Sequence, residues 1–168
     1  MMLEIALDTD EEWDSSRAWE PLVRRAAEAA IAESAFPQLA TAERRVELSV
    51  RLTGDAEMRA LNAQWRGKDR ATNVLSFPMA DRDELQRANV AMSELLLGDI
   101  VLARDVCAAE AADKRVSVED HAAHLLIHGT LHLLGYDHHD DAGAADMEAR
   151  EVRALARMGI ANPYEIVA

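Results

Sequence analysis

The chain has 168 residues and one cysteine, Cys107, and its 31 acidic and 18 basic side chains give a formal net charge of −13. This length fits one domain, and a hydrophobic fraction of 49% excludes global disorder. The single cysteine excludes an internal disulfide, and the acidic excess argues against a broad nucleic-acid-binding face while leaving room for a local basic cleft.

The first half of the chain shows alternating and helical patterns of apolar residues. They predict, in order, a strand over 3–7, a helix over 19–30 and a strand over 46–52. A second helix follows, capped by Thr53 or Asp55 and ended by Gly67. Its apolar face carries Trp65, which we expect in the core. A short strand over 73–77 ends before a proline.

The second half begins with residues 80–94, which are polar and lack periodicity, so we predict an irregular segment. An apolar strand over 100–102 follows Gly98. The remaining chain predicts three helices: one from Asp105 to about Lys114, one that starts at a Ser117–Asp120 capping box, and one from Asp141 to Gly159.

The resulting order, β-α-β-α-β-β-α-α-α, predicts one α+β domain over 1–168. In this domain a small mixed sheet of four strands packs with about five helices, and the crossover connections are long enough for parallel pairing. The apolar N-terminus lacks the basic start and long core of a signal peptide, and no run could span a bilayer. We therefore expect a soluble cytoplasmic protein.

Three histidines in the pattern H-x3-H-x5-H carry the chemistry of the sequence. His128 and His132 lie one turn apart on one helix face, and Gly135 can end that helix so that His138 turns back to the same point. Three protein nitrogens leave one tetrahedral position open, which is typical of catalytic rather than structural zinc sites. Zinc is favoured, although nickel, copper and iron also accept nitrogen ligands.

The spacing is the one found in the metzincin proteases, but one residue is missing. In those enzymes a glutamate follows the first histidine and acts as the general base. In this chain that position is Gly129, which has no side chain. A peptidase or amidase would lack its proton acceptor, so the residues point to other chemistry.

The polar residues around the triad have several possible roles. His124 lies one turn before His128 on the same face of the helix. Successive turns are 5.4 Å apart, so a third ligand from the same straight helix would not converge on the ion. We therefore expect His124 either to line the cleft, where it would bind substrate, or to support a ligand histidine. Asp137 would either orient a ligand histidine or serve as a turn residue at the helix end. We expect His121 at the surface.

A second cluster of interest is the run from Arg66 to Arg70. It places three cations within five residues of an otherwise acidic chain. Taken alone, the run is typical of a solvated turn. If it borders the metal site, it would instead supply the basic cleft that an acidic nucleic-acid-binding protein needs.

These two stretches, together with two shorter ones, resemble one family. The run from His128 to His138, the run from Arg66 to Asp69 followed by 72–78, the run 98–102 and the closing Asn162-Pro163-Tyr164 are similar to motifs of the YbeY family, the bacterial endoribonucleases of ribosomal RNA maturation. They occur in the family's order across nearly the whole chain. Residues 81–95 match no family motif, and we assign them no role.

The resemblance implies one zinc ion held by His128, His132 and His138, with Arg66 as a functional arginine beside it. His139 follows the last histidine, so the third ligand is open to a shift by one residue; the spacing and the family register favour His138. The implied fold is α+β with the metal at a helix end. The implied partners are the 16S ribosomal RNA precursor, the small ribosomal subunit and its assembly proteins, with no membrane.

The prediction is a metal-dependent hydrolase that prefers single-stranded RNA and acts in 16S maturation and ribosome quality control. Arg66 would hold the phosphate, because a guanidinium matches phosphoryl oxygens with paired donors, and Lys68 and Arg70 would guide the backbone. The general base stays open between a metal-bound hydroxide and a ribose 2′-OH acting as internal nucleophile. The alternatives are a zinc-stabilised, non-enzymatic ribosome assembly factor and a metal-dependent peptidase or amidase.

Overall fold

The computed structural model describes residues 2–14, 17–40, 45–86 and 94–165. Within these ranges the chain forms one sheet and six helices, with a short 3-10 turn over Pro37–Ala40. In chain order the elements are β1 (Met2–Thr9), α1 (Trp19–Ala32), β2 (Arg45–Thr53), α2 (Asp55–Arg66), β3 (Val74–Pro78), α3 (Arg82–Gln86), β4 (Glu94–Ala103), α4 (Arg104–Lys114), α5 (Val118–Leu133) and α6 (Asp141–Arg157).

The predicted α+β class and mixed four-stranded sheet are confirmed. The strands lie in the order β1-β2-β4-β3. β1 pairs with β2, and β2 with β4, in parallel, whereas β3 runs antiparallel along the edge of β4. Alternate residues of β2 are buried, as the sequence alternation predicts. They join the buried faces of α1 and α5 in the main core.

Two predictions for the segment around residues 80–100 are wrong. A short helix, α3, occupies Arg82–Gln86 where we expected irregular chain, and β4 begins at Glu94 rather than after Gly98. Its early part escaped the pattern because three consecutive leucines hide the alternation. A β-bulge shifts the register there, since Glu47 faces Leu96 while the next residue of β2 faces Gly98. Residues 87–93 lie outside the described part of the chain.

The helix caps agree only in part with the sequence. Gly54, and neither Thr53 nor Asp55, precedes α2 as its N-cap, and α4 begins at Arg104, one residue before its predicted start. The predicted cap of α5 is confirmed, because the Ser117 hydroxyl accepts a hydrogen bond of 3.1 Å from the Asp120 N–H. This cap fixes where the histidine-bearing helix begins.

The helix α5 lies at the centre of the fold. It contacts α1, α4 and α6 as well as strands β3 and β4, and most of its residues are buried. A helix that is apolar on nearly all sides is typical of such a central position. Among its described polar side chains, His121 and His124 contact carboxylates, and His128 and His132 line the cleft described below. Among the described residues, none of the helices combines the length and apolar character needed to span a bilayer.

The opposite face of the sheet is only partly covered. Helix α2 packs there through Met58 against Leu75 and Val101, in a second, smaller core. Beyond α2 an open groove of about 680 Å³ follows the sheet. Trp65 lies on its edge with 61% of its surface exposed and its ring 6.2 Å from that of Phe77. The prediction that Trp65 is a core residue is wrong, because no element covers this side of α2 in the described chain.

Candidate metal centre and basic cleft

The three histidines of the motif converge at the C-terminal end of α5. Their ligand atoms all lie within 4.8 Å of one another, and the Nε2 atoms of His128 and His132 are 3.0 Å apart. Zn–N bonds of about 2.0–2.1 Å at tetrahedral angles would separate such nitrogens by about 3.3 Å. The cluster could therefore hold one metal ion after small movements of the rings.

The turn after α5 brings His138 back to the helix. Gly135 has φ +96, a conformation that side chains rarely adopt, and the Tyr136 N–H donates to the Leu131 carbonyl at 3.0 Å, as in a helix-ending turn. The Tyr136 hydroxyl accepts a 2.7 Å hydrogen bond from the Ala35 N–H, and the Arg150 guanidinium lies 4.7 Å from its ring centroid. These contacts fix the loop that carries the third histidine.

His128 is oriented through the ring nitrogen that faces away from the cluster. Its Nδ1 atom lies 3.2 Å from Glu151 Oε1. A carboxylate in this position selects the tautomer in which Nε2 carries the lone pair. That lone pair consequently points to the centre of the cluster, where His132 Nε2 lies 3.0 Å away.

The electrostatics of the cluster suit a cation. Burial, together with the neighbouring His128 and His138, lowers the pKa of His132 to about 4. Burial alone would raise the pKa of Glu151, but hydrogen bonds from His124 and His128 outweigh it and lower that pKa to about 2. At neutral pH the cluster thus combines a neutral imidazole with an ionised carboxylate behind it, which is the protonation state that metal binding requires.

A cleft of about 520 Å³ joins the histidine cluster to the basic run. Arg66, Lys68 and Arg70 line one side of it, and Asp137 is the only carboxylate among the lining residues of the described chain. Three cations and one anion make this cleft locally positive in a chain of net charge −13. The local basic cleft that the sequence allowed is present.

The wall of cations is held in place by α2 and β3. Arg66 is the last residue of α2, and Gly67, with φ +69, ends the helix as predicted. The Arg66 guanidinium donates to the Ser76 carbonyl at 3.0 Å and lies 5.7 Å from the Phe77 ring centroid. The buried Asn62 amide donates to the Arg70 carbonyl at 2.8 Å, so the run from Arg66 to Arg70 is solvent-exposed but held against α2 at the edge of the cleft.

The two other histidines of α5, His121 and His124, lie neither at the surface nor in the cleft. His124 is buried behind the cluster, outside the cleft, with its Nε2 2.7 Å from Glu151 Oε1. His121 is only 3% exposed and lies 2.8 Å from Glu110, so its predicted surface position is wrong. It is buried because α4 packs on that side of α5.

The loop residues beside His138 also lie at the cleft. The Asp137 carboxylate accepts a 3.2 Å hydrogen bond from the His139 N–H, which is the turn role that the sequence left open. His139 lines the cleft but does not belong to the cluster of three. Asn73, directly before β3, and Ser76, on β3, line the same cleft.

Glu151 is the residue at this site that the sequence analysis missed. It lies on α6, is 1% exposed, and contacts both His124 and His128. A signal was present, because Glu151 falls one turn after the buried Met147 and one turn before Leu155 on the apolar stripe of α6. A charged residue on such a stripe indicates a buried partner, although the pattern does not say which one.

The position that carries the general base in metzincins faces the core in this chain. A Cβ atom on Gly129 would lie 3.1–3.3 Å from the side chain of Ile100 on β4. A longer side chain at this position would therefore enter the sheet–helix interface and not the cleft. The structure therefore offers no glutamate at this position to act as the general base of a peptidase, in agreement with the sequence.

Comparison with known proteins identifies the family independently of the geometry of the site. The family model described as Endoribonuclease YbeY matches residues 6–159. A Sphingopyxis alaskensis protein named Endoribonuclease YbeY is 52% identical over 164 residues, covering 97% of this chain and 98% of its own. A Rhizorhabdus wittichii protein of the same name is 48% identical and covers 98% of both chains. A solution structure of a Thermotoga maritima protein shares the fold, with a TM-score of 0.55, 23% identity, and 93% and 92% of the two chains covered.

Proposed function

This chain belongs to the YbeY family of endoribonucleases, and we propose that it cuts ribosomal RNA precursors at a zinc site formed by His128, His132 and His138. The family inferred from the sequence motifs is confirmed. The chain is accordingly a nuclease, that is, a metal-dependent hydrolase of RNA whose family acts in ribosomal RNA maturation. The identity of the metal, the role of each residue and the partners below are our proposal.

One observation carries the proposal, namely that the histidine cluster and three cations line the same cleft. A phosphodiester is anionic, and its transition state gathers further charge on the phosphoryl oxygens, so cations beside a metal favour phosphate chemistry. Peptide hydrolysis has less need of them. The position of Gly129 against Ile100 also argues against a peptidase.

We propose that Arg66 holds the scissile phosphate. Its guanidinium is anchored on one side by the Ser76 carbonyl and the Phe77 ring, which leaves donors of the planar fork for a phosphate in the cleft. Lys68 and Arg70, further along the same wall, would contact neighbouring phosphates of the backbone. When bound, zinc would polarise a phosphoryl oxygen and lower the pKa of a water molecule.

The substrate that fits this cleft is an accessible, single-stranded region of RNA. Aromatic residues make up 4% of the chain, so few rings are available to stack on bases and confer sequence preference. We therefore propose that the 16S precursor is presented by the small ribosomal subunit and its assembly proteins, which would supply the specificity that the cleft lacks.

Replacing Arg66 by Ala tests this function. We expect Arg66→Ala to cut a small-subunit ribosomal RNA precursor about 100-fold more slowly than the wild type, the loss typical of removing one donor to a developing oxyanion. Zinc content is expected to stay unchanged, because the guanidinium contacts Ser76 and Phe77 and none of the three histidines in the described contacts. The measurement is the rate of appearance of defined cleavage products, with zinc content measured on the same preparation.

The matched control is Arg25→Ala, which removes an equal charge from an exposed position of α1 outside the cleft. It should cut at the wild-type rate, and identical purification excludes a contaminating nuclease as the source of any difference. Equal cleavage by the wild type and Arg66→Ala would contradict the proposed role of Arg66. Equal absence of cuts in all three proteins would favour the non-enzymatic assembly factor.

A further inference from the structure

We propose that Glu151 and Tyr164 form a positioning pair that holds the His128 imidazole with its Nε2 directed at the metal. The proposal gives a role to the closing Asn162-Pro163-Tyr164 motif, which the cleavage chemistry leaves unused. It also assigns a purpose to a buried glutamate on α6. Because it concerns orientation of a ligand, it rests on the proposed metal site.

Glu151 is placed to orient His128 and no other member of the cluster in the described contacts. Its Oε1 atom lies 3.2 Å from His128 Nδ1, so the proton of the neutral imidazole is held on Nδ1. The Nε2 atom then keeps its lone pair and faces His132 Nε2 at 3.0 Å. A carboxylate in this position also raises the basicity of the ligand nitrogen.

The carboxylate is buried too deeply to be solvated by water. Glu151 is 1% exposed, and an ionised carboxylate is costly to bury without several hydrogen-bond donors. His124 Nε2 lies 2.7 Å from Oε1, and the Tyr164 hydroxyl donates to Glu151 at 3.1 Å. These two contacts hold the carboxylate in place against His128.

His124 is suited to this supporting role because it can donate through only one nitrogen. Its Nδ1 atom is buried and has no hydrogen-bond partner among the described residues. The proton of the neutral ring is therefore best placed on Nε2, where Glu151 accepts it. This arrangement also explains why His124 lies behind the cluster and does not contribute a fourth ligand.

The turn of the closing motif aims Tyr164 at the carboxylate. The Asn162 side-chain oxygen accepts a 2.8 Å hydrogen bond from the Tyr164 N–H, which closes a local turn across Pro163. The Tyr164 ring packs edge-on against His124, with centroids 5.5 Å apart. A segment beyond the last helix thus reaches the metal site through a single hydroxyl group.

Two variants and one control test the pair. Glu151→Gln keeps the size of the side chain but removes its charge, and Tyr164→Phe removes only the hydroxyl. Glu148→Gln makes the same charge change at an exposed position of α6. For each full-length protein, the zinc dissociation constant is measured by competition with a chromophoric chelator, and the absorption spectrum of the Co²⁺-loaded form reports ligand geometry.

We expect Glu151→Gln to weaken zinc binding 10- to 100-fold and to alter the Co²⁺ spectrum, as is typical of lost support to a ligand histidine. Tyr164→Phe should weaken binding by a smaller factor, because His124 still holds the carboxylate. Glu148→Gln should match the wild type. Thermal unfolding of the metal-free proteins separates a loss of fold from a loss of affinity.

Wild-type zinc affinity in a folded Glu151→Gln protein would overturn the positioning pair. If Glu151→Gln fails to fold, Tyr164→Phe decides, since it keeps the charge and the ring packing; wild-type affinity in that variant would overturn the inference. A wild-type protein that binds no zinc would instead refute the proposed metal site, so the two failures are distinguishable.

Discussion

His132→Ala is expected to abolish RNA cleavage and zinc binding together. His132 supplies one of three nitrogens, and two imidazoles alone hold zinc far more weakly than three. A metal of this kind contributes several kcal/mol of transition-state stabilisation, so the cleavage rate should fall by at least about 10⁴-fold. The measurement is the single-turnover rate of cleavage of the 16S precursor by the wild type and by His132→Ala. Both are measured at one zinc concentration that saturates the wild type.

A second readout of the same variant does not depend on activity. At a zinc concentration about 100 times its dissociation constant, binding should stabilise the wild type by about 2.7 kcal/mol, or a rise in melting temperature of about 5–10 °C for a chain of this size. His132→Ala should show almost no rise. Its metal-free form should fold normally, because alanine is a good helix former in α5.

His139→Ala is the matched control for this prediction. His139 lies next to His138 and lines the cleft, but it is not a member of the cluster. It should keep the zinc-induced rise, whereas His138→Ala should lose it. The opposite result would show that His139, and not His138, is the third ligand. A full zinc-induced rise in melting temperature in His132→Ala would contradict the proposed site.

Gly98→Ala is expected to destabilise the fold by about 4 kcal/mol, the middle of a range of about 2–6 kcal/mol. Gly98 has φ +139, a region that essentially only glycine occupies, and an added Cβ atom would lie 2.2 Å from the Phe77 backbone carbonyl oxygen. Neither backbone can move without breaking the pairing of β3 with β4. Backbone strain and overpacking, at about 1–3 kcal/mol each, therefore add.

Chemical denaturation of the metal-free protein measures this effect. Gly159→Ala is the control, because Gly159 also has a positive φ, +74, but an added Cβ atom there would have no neighbour within 4 Å. It should cost only about 1–2 kcal/mol, the ordinary penalty of the left-handed conformation. Equal losses in both variants would mean that contact with Phe77 does not matter at Gly98.

The features that could be predicted from the sequence are those whose partners lie nearby in the chain. His128, His132 and His138 meet through one helix and one turn, so their spacing alone predicts the cluster. The alternation of β2 and the cap at Ser117 are local for the same reason. The joining of Arg66 to the cluster needed the family resemblance, because sequence spacing does not relate α2 to α5.

The features that could not be predicted depend on packing between distant elements. Glu151 contacts His124 across 27 residues, and the apolar stripe of α6 shows only that it is buried. The local sequence around His121 predicts a surface residue, and only the packing of α4 against α5 buries it. Trp65 has the spacing of a core residue, yet its side of α2 meets an uncovered stretch of sheet. Whether another element covers a helix face depends on the whole fold, so the local periodicity of the sequence does not predict it.

The strand order has a consequence for how a complete site arises during folding. The parallel pairings join distant segments, since Met2 faces Arg45 and Arg45 faces Glu94. Such long-range pairing is slow, because loop-closure entropy is lost before the contacts compensate for it. The helix and turn that carry the three histidines are local and can form in microseconds or less. The contacts that orient them, from Ala35 to Tyr136 and from Glu151 to His128, join distant elements. We therefore expect the metal ligands to reach their final orientation only when α1 and α6 have packed, and the cations of the cleft to join them when the sheet is in register.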